Sequence, residues 1–326
     1  MSESPAHPAP RLRESLRRRA GALLIDNLFR GMAHAGKLHP LSRPERHRVE
    51  VLRDVPYGAA GEPHRKLDVY RPTDRAGPLP VVLYIHGGGF RILSKDTHWL
   101  LALAFARRGY LVFNIDYRLA PRHPYPAALE DACAAFAWVA DRARRHGGDP
   151  SRVVLAGESA GANLVTSLAL TTAYARPEPW ARAAWDAGVL PRAVVPACGI
   201  LQVTDPGRFR RRKATLAPFL DDRLREVSEA YVGDARGPLD LADPVVVLER
   251  GAAPERPLPP FFVPCGTRDP LLDDSRRLKA ALDRLSVACE LQCYPGEVHA
   301  FHALLWRENA RRCWEDTFRF LDAHVG

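Results

Sequence analysis

Val153-Val154-Leu155-Ala156-Gly157-Glu158-Ser159-Ala160-Gly161-Ala162-Asn163-Leu164 is an apolar strand that passes through a G-x-S-x-G pentapeptide into a helical run reaching Leu170. Glycines on both sides of the serine relieve the crowding that a Cβ would cause on a sharp strand-to-helix turn, and such a turn thrusts the Oγ above the sheet. A glycine-bracketed serine can also merely cap a helix, so the surrounding sequence must decide. Upstream, the apolar strand Val81 to Ile85 runs into His86-Gly87-Gly88-Gly89-Phe90. Composition would yield its HGGG core only about 0.004 times in such a chain, against about 0.05 for the pentapeptide. Three successive glycines leave backbone N–H groups uncovered and able to face an oxygen that gains negative charge. The Ala160 N–H, just after the serine, supplies another donor. Neither the Gly-Lys-Ser/Thr of a phosphate loop nor the G-x-G-x-x-G of a dinucleotide site is present.

Around these two turns, short apolar strands alternate with longer helical segments, the pattern of βαβ units building a mostly parallel sheet. Strands are expected at Val81 to Ile85, Leu111 to Ile115, Val153 to Ala156, Ala193 to Ala197, Phe261 to Val263 and Glu290 to Tyr294. Helices are expected near 97–108, 127–146, 160–174, 273–285 and 308–323. Before them, Val49 to Val55 and Leu67 to Tyr70 read as antiparallel edge strands separated by the Gly58 to Pro63 turn cluster. Leu12, Leu16, Ala20, Leu23, Leu24 and Leu28 recur at helical spacing, giving an amphipathic N-terminal helix. Between two core strands, 204–237 is Arg-rich and helical with no convincing strand, which reads as an inserted lid. The expected organisation is an N-terminal helical cap segment at 1–45, core at 46–203, inserted cap helices at 204–237 and core again at 238–326.

A serine hydroxyl is a weak nucleophile at its own pKa, so a histidine base and a carboxylate to orient it must follow in the order Ser, Asp, His. Asp269 comes directly after the strand Phe261 to Val263, at the carboxyl end where ligands gather in open α/β sheets. Asp273 and Asp274 sit at a helix start, where capping and the helix dipole account for them. Only His299, His302 and His324 follow Asp269. His299 lies in the loop after the last strand and is the chosen base; His302, deeper in the next segment, is the alternative.

The 326 residues are 46% hydrophobic and 26% charged, an ordinary globular make-up, and 29 prolines favour many defined loops. No apolar run approaches the roughly 20 residues of a membrane-spanning helix, and no secretory signal is visible, so a cytoplasmic location is expected. The net charge of +9 is scattered, with two concentrations, at Arg11 to Arg19 and at Arg208, Arg210, Arg211, Arg212 and Lys213. Both clusters read as solvated charge, since no nucleic-acid motif accompanies them. The six cysteines lack metal-ligand spacing and read as buried thiols; Cys289 and Cys293 share one strand face but lie too far apart to bond.

HGGGF at 86–90, DYRLAPRHPYPAALED at 116–131, GESAGANL at 157–164, DPL at 269–271 and HAF at 299–301 resemble the hormone-sensitive-lipase-like carboxylesterase branch of the α/β-hydrolase family. The likeness runs from about Val81 to His324. It implies an α/β-hydrolase fold with an eight-stranded, mostly parallel sheet flanked by helices and a helical cap, and it implies carboxylic-ester hydrolysis. Position by position it implies Ser159 as nucleophile, Asp269 and His299 as its partners, and Gly88, Gly89 and Ala160 as oxyanion donors, with Gly87 ranked behind them. Two residues depart from the pattern: Glu158 where many members have Asp, and Arg122 where Glu is common. Neither touches the triad, and no effect on activity is expected from either. The 116–131 block, His86 and Arg118 read as structural.

The reaction expected is hydrolysis of small-molecule esters of short to medium acyl chain through an acyl-enzyme, with no cofactor and no metal. Phe209, Leu216, Phe219, Leu220 and Leu224 of the lid are candidates to line an acyl pocket together with the N-terminal helix. An amidase or deacetylase with the same triad, a non-enzymatic small-molecule receptor on the same scaffold, and a lipase whose basic N-terminal helix lies on anionic lipid remain open. The family often forms homodimers, which this sequence neither requires nor excludes.

Overall fold

The structure, a computed structural model, describes residues 21, 26–27, 31, 33–37 and 39–326 apart from 60, 213–216, 234 and 236. Most of the expected N-terminal helix and its Arg11 to Arg19 cluster, together with Lys213 and Leu216, lie outside the described residues. Eight strands form one sheet: β1 (Val49–Pro56), β2 (Lys66–Pro72), β3 (Leu79–Ile85), β4 (Leu111–Ile115), β5 (Gly148–Glu158), β6 (Ala193–Ala197), β7 (Phe261–Gly266) and β8 (Cys289–Tyr294). Their order is β1-β2-β4-β3-β5-β6-β7-β8. The β1–β2 and β2–β4 pairs are antiparallel and the rest parallel. Of the two leading strands only β1 is an edge, because β4 pairs with β2 on its other side.

Helices α1 (Trp99–Arg107), α2 (Ala127–Arg142), α3 (Ala160–Ala173), α4 (Pro179–Asp186), α5 (Arg208–Arg212), α6 (Pro218–Val232), α7 (Pro244–Glu249), α8 (Leu272–Arg284) and α9 (Glu308–Val325) cover the sheet. Alternation along the strands decides which face each residue serves. Val81, Leu83 and Ile85 of β3 pack with Leu155 of β5 against Phe136 of α2 and Leu164 and Leu168 of α3. Val82 and Tyr84 pack with Val154 and Ala156 on the opposite face, against Leu101 and Phe105 of α1 and Phe320 and Leu321 of α9. α3, which starts at the serine turn, is buried along its whole length. Its hydroxyls are satisfied internally: Thr166 donates to Ala162 O at 2.7 Å and Ser167 to Leu241 O at 2.7 Å.

The described residues of 204–237 hold α5 and α6 and no strand, as expected. α6 lies on the glycine loop: a Cβ at Gly89 would meet Val227 at 2.6 Å, and Tyr231 stacks on Phe90 with ring centres 3.6 Å apart. The neighbourhood of α6 also includes Gly21, whose Cβ position would fall 3.2 Å from Arg223. Arg208 departs from the solvated-charge reading, being buried and paired with Asp274, its guanidinium 3.9 Å over the Phe209 ring. The lid residues divide. Phe209 and Leu224 are buried, whereas Phe219 and Leu220 are 49% and 37% exposed, because they occupy the first turn of α6, at the opposite end of the helix from Val227 and Tyr231. Cys289 and Cys293 are half-buried rather than buried, since β8 is the other edge of the sheet.

Candidate active site

The parallel strands β5, β6, β7 and β8 end side by side, with Glu158 opposite Ala197 and Gly266 opposite Tyr294. The chain therefore delivers Ser159, Cys198, Asp269 and the loop carrying His299 to one edge of the sheet. Ser159 has φ +55 and ψ −113, a positive-φ conformation that costs a non-glycine residue on the order of 1–3 kcal/mol. Its N–H donates to Ala197 O at 2.9 Å, and its C=O accepts from Asn163 N at 3.2 Å and Ile200 N at 3.3 Å. The Gly161 position explains the second glycine of the pentapeptide, since a Cβ there would lie 2.0 Å from Ile85 O. Helix α3 consequently packs tightly against the end of β3, beside the glycine loop.

Asp269 is wholly buried; its Oδ1 accepts the Leu271 N–H at 2.8 Å and its Oδ2 faces His299 Nδ1 at 2.9 Å. The His299 loop is folded back over β7, with Arg268 N donating to Glu297 O at 2.9 Å. His299 remains 35% exposed at its side chain. Burial works against the charged ring, but the Asp269 carboxylate holds the imidazole pKa well above the ordinary histidine value. Ser159 Oγ and the His299 ring are not hydrogen-bonded to each other in this structure; such catalytic bonds are often long in unliganded enzymes and tighten with substrate.

His302, the alternative base, is buried, and burial drives its pKa down to about 4. It packs edge-on against Phe301 and Trp314, with ring centres 6.0 and 6.5 Å away. His324 sits on Phe320 near the end of α9. Neither is joined to Asp269. The two nearby acids are not helix caps, for α8 begins without a side-chain cap. Asp274 instead accepts the Leu201 N–H at 2.9 Å and pairs with Arg208, because it faces the buried side of α8's first turn. Asp273 on the outer side reaches Arg276 at 3.5 Å.

On the other side of Ser159, the glycine loop is held in a distinctive way. Gly88 has φ +106, and a Cβ there would lie 2.1 Å from Ile92 O, so glycine alone fits. Among the described residues no acceptor takes the Gly88 or Gly89 N–H, and the Ala160 N–H belongs to the first turn of α3, where helix amides lack intrahelical partners. The Gly87 N–H, in contrast, is engaged, donating to Glu158 Oε1 at 2.6 Å. Glu158 also lies 2.6 Å from His98 Nε2 and accepts from Tyr84 OH. Burial raises the Glu158 pKa, but the His98 imidazolium outweighs it and brings the carboxyl down to about 2. His98 is correspondingly raised, its burial being overcome by Glu158.

This anchor was not expected from the sequence: Glu158 does not touch Asp269 or His299, yet it ties the Ser159 turn to the glycine loop. Lys95, also missed, is buried with its Nζ 2.9 Å from Asp68 and 3.1 Å from Asp54, and pins the segment between the glycine loop and α1. His86 is structural in geometry: its Nδ1 lies 2.7 Å from Gly87 O, it stacks on Tyr117 at 4.3 Å, and burial lowers its pKa to about 3. Arg118 braces its block through Asp131 (2.8 Å) and Glu130 (2.7 Å). Arg122 is exposed, and nothing in the structure explains its departure.

A family model described as the alpha/beta hydrolase fold matches residues 82–303, a stretch that contains both glycine turns, Asp269 and His299. The chain belongs to the α/β-hydrolase fold family. Within that family it falls in the hormone-sensitive-lipase-like carboxylesterase branch. It is 35% identical over 237 residues to the carboxylesterase NlhH of Mycobacterium tuberculosis, covering 72% of this chain and 70% of that protein. It is 30% identical over 232 residues to the acetyl esterase of Salmonella schwarzengrund, covering 71% and 67%. Among solved structures, esterase LipW from Mycobacterium marinum superposes with a TM-score of 0.71 at 28% identity, covering 94% of this chain and 90% of that one. Among the described residues no helix is long and apolar enough to cross a membrane.

One cluster at this edge offers metal-ligand atoms: Cys198, Asp269 and His299, with one such atom from each lying within 4.8 Å of the others.

Proposed function

We propose that the chain is a serine carboxylesterase acting on small-molecule esters of short to medium acyl chain. In this reading His299 takes the proton of Ser159 as its Oγ attacks the ester carbonyl. Asp269 holds the ring by its Nδ1 and favours the imidazolium that forms. The Gly88, Gly89 and Ala160 N–H groups receive the tetrahedral oxyanion. The alcohol leaves with the proton from His299, and water, activated by the same ring, hydrolyses the acyl-enzyme. The segments 1–45 and 204–237 cap the core formed by 46–203 and 238–326, and the cap limits acyl length. The names of the relatives, a carboxylesterase and an acetyl esterase, support ester hydrolysis and a short acyl group.

The observation that carries the reading is what the strand ends bring to one edge of the sheet: Ser159 at positive φ, an imidazole held by Asp269, and, beside the serine turn, Gly88 and Gly89 amides that no described residue claims. Steady-state hydrolysis of p-nitrophenyl butyrate by Ser159→Ala tests it. The expected result is a fall in kcat on the order of 10⁶; near-normal turnover overturns the assignment. A chain-length series that peaks on C14 to C18 esters, in place of short ones, overturns the substrate class alone.

A further inference from the structure

Cys198 has no part in the mechanism above, yet it stands among the groups that do. It directly follows β6, between the ends of β5 and β7, with its N–H donating to Pro264 O at 3.0 Å and φ at +40. We propose that Cys198, Asp269 and His299 form a chelating site for a soft divalent cation of the Zn²⁺ or Cd²⁺ kind, and that occupancy switches the hydrolytic centre off. The effect on hydrolysis rests on the reading of His299 as the base; the binding does not.

The donor set is the first argument. One thiolate, one imidazole and one carboxylate suit Zn²⁺ or Cd²⁺ and disfavour Mg²⁺ and Ca²⁺, which prefer oxygen ligands. Spacing is the second. Zinc bonds of about 2.3 Å to sulfur and 2.0–2.2 Å to nitrogen and oxygen put tetrahedral ligands roughly 3.3–3.6 Å apart. The three donor atoms already fall within 4.8 Å of one another, with His299 Nδ1 and Asp269 Oδ2 at 2.9 Å, so small side-chain rotations close the set on an ion. Burial is the third. Cys198 and Asp269 are only 1% and 0% exposed, so the positions of two ligands are fixed by the core, while the partly exposed His299 leaves a way in.

The consequence for the reaction follows from imidazole chemistry. Binding expels the thiol proton of Cys198 to solvent. A neutral imidazole with a metal on one nitrogen carries its proton on the other. If the ion takes Nε2, that lone pair is occupied; if it takes Nδ1, the proton shared with Asp269 is displaced and Nε2 is the protonated nitrogen. Either way His299 cannot accept the Ser159 proton.

The test uses the full chain freed of metal with EDTA. Titration with Cd²⁺ is followed by the ultraviolet charge-transfer band of a thiolate–cadmium bond, and Zn²⁺ inhibition is read on p-nitrophenyl butyrate. The band is expected to saturate at one equivalent, and to vanish in Cys198→Ser. Asp269→Asn, which leaves every thiol in place, is expected to weaken Cd²⁺ binding by about tenfold or more. Zn²⁺ inhibition, measured against each variant's own metal-free rate, is expected to be reversed by EDTA and to need at least about tenfold more metal in Cys198→Ser. A band unchanged in Cys198→Ser, arising from Cys289 or Cys293, overturns the metal site and leaves the hydrolase reading intact. A Cys198-dependent band with undiminished hydrolysis at saturating Cd²⁺ upholds the site and overturns His299 as the base.

Discussion

Two carboxylate–histidine pairs flank Ser159, and their difference separates chemistry from positioning. In the Asp269–His299 pair the acid is buried and the imidazole, bound through Nδ1 at 2.9 Å, keeps an open side. In the Glu158–His98 pair both members are buried, with Nε2 and Oε1 2.6 Å apart, and the remaining reach of the carboxylate goes to the Gly87 N–H and Tyr84 OH. In the proposed mechanism the same two functional groups thus serve as a proton acceptor where one nitrogen is left free, and as a clamp where every polar atom is committed. The clamp holds the glycine loop against the Ser159 turn, so on the proposed mechanism it acts on the oxyanion donors through the backbone.

Substitutions on each pair should fall on very different scales. His299→Ala is expected to lower kcat on p-nitrophenyl butyrate by a factor on the order of 10⁶, and Asp269→Asn by about 10⁴. Glu158→Gln is expected to cost roughly 10² in kcat with KM little changed, the scale of a misplaced oxyanion donor, and Glu158→Asp to fall between it and the native chain. Comparable losses for Glu158→Gln and His299→Ala would erase the distinction between clamp and base.

The pairs should also separate by pH. The base must be neutral to act, and its pKa is raised, so the acid limb of kcat/KM is expected above pH 6.5 and to move down toward 6.5 in Asp269→Asn. Glu158 lies at about 2 when folded against an ordinary 4.5, so it stabilises the fold above pH 4.5 and loses that contribution as pH falls toward 2. Urea midpoints of the native chain and Glu158→Gln should therefore converge over that interval. A constant gap between them would show that the carboxylate charge contributes nothing. The smallest effect is expected outside both pairs: Phe219→Ala, on the exposed first turn of α6, should change stability by less than about 0.5 kcal/mol in thermal unfolding.

What the sequence carried, and what it hid, follow the same division. β3, β4, β6 and β7 were legible as short apolar runs, β5 by its apolar part Val153 to Ala156 and β8 by the alternation of Cys289, Leu291 and Cys293 with Glu290 and Gln292, and the order Ser, Asp, His could be checked against strand ends. Short helices α4 and α7 were not: at eight and six residues they have too few turns to show a period. His299 was reachable because its partner is defined by chain order and by the preceding strand. The Glu158–His98 clamp was not, since nothing local relates residues 60 positions apart, and a carboxylate inside a motif reads as solvent-facing until the fold encloses it. Asp274 misled for the related reason that an acid in a helix's first turn already has a local explanation, whereas its partner Arg208 comes from the insertion. The exposure of Phe219 and Leu220 was not legible either, because apolar character alone does not say which end of a helix meets the core.

The central claim is that Ser159 is the nucleophile made reactive by His299 against the glycine-loop amides. Covalent labelling with a p-nitrophenyl phosphonate ester, followed by peptide mapping, measures it at the reacting atom. The account predicts one phosphonyl adduct, located on Ser159, absent from Ser159→Ala and formed far more slowly by His299→Ala. An adduct on any other residue, or labelling of Ser159 at an unchanged rate without the imidazole, would contradict it.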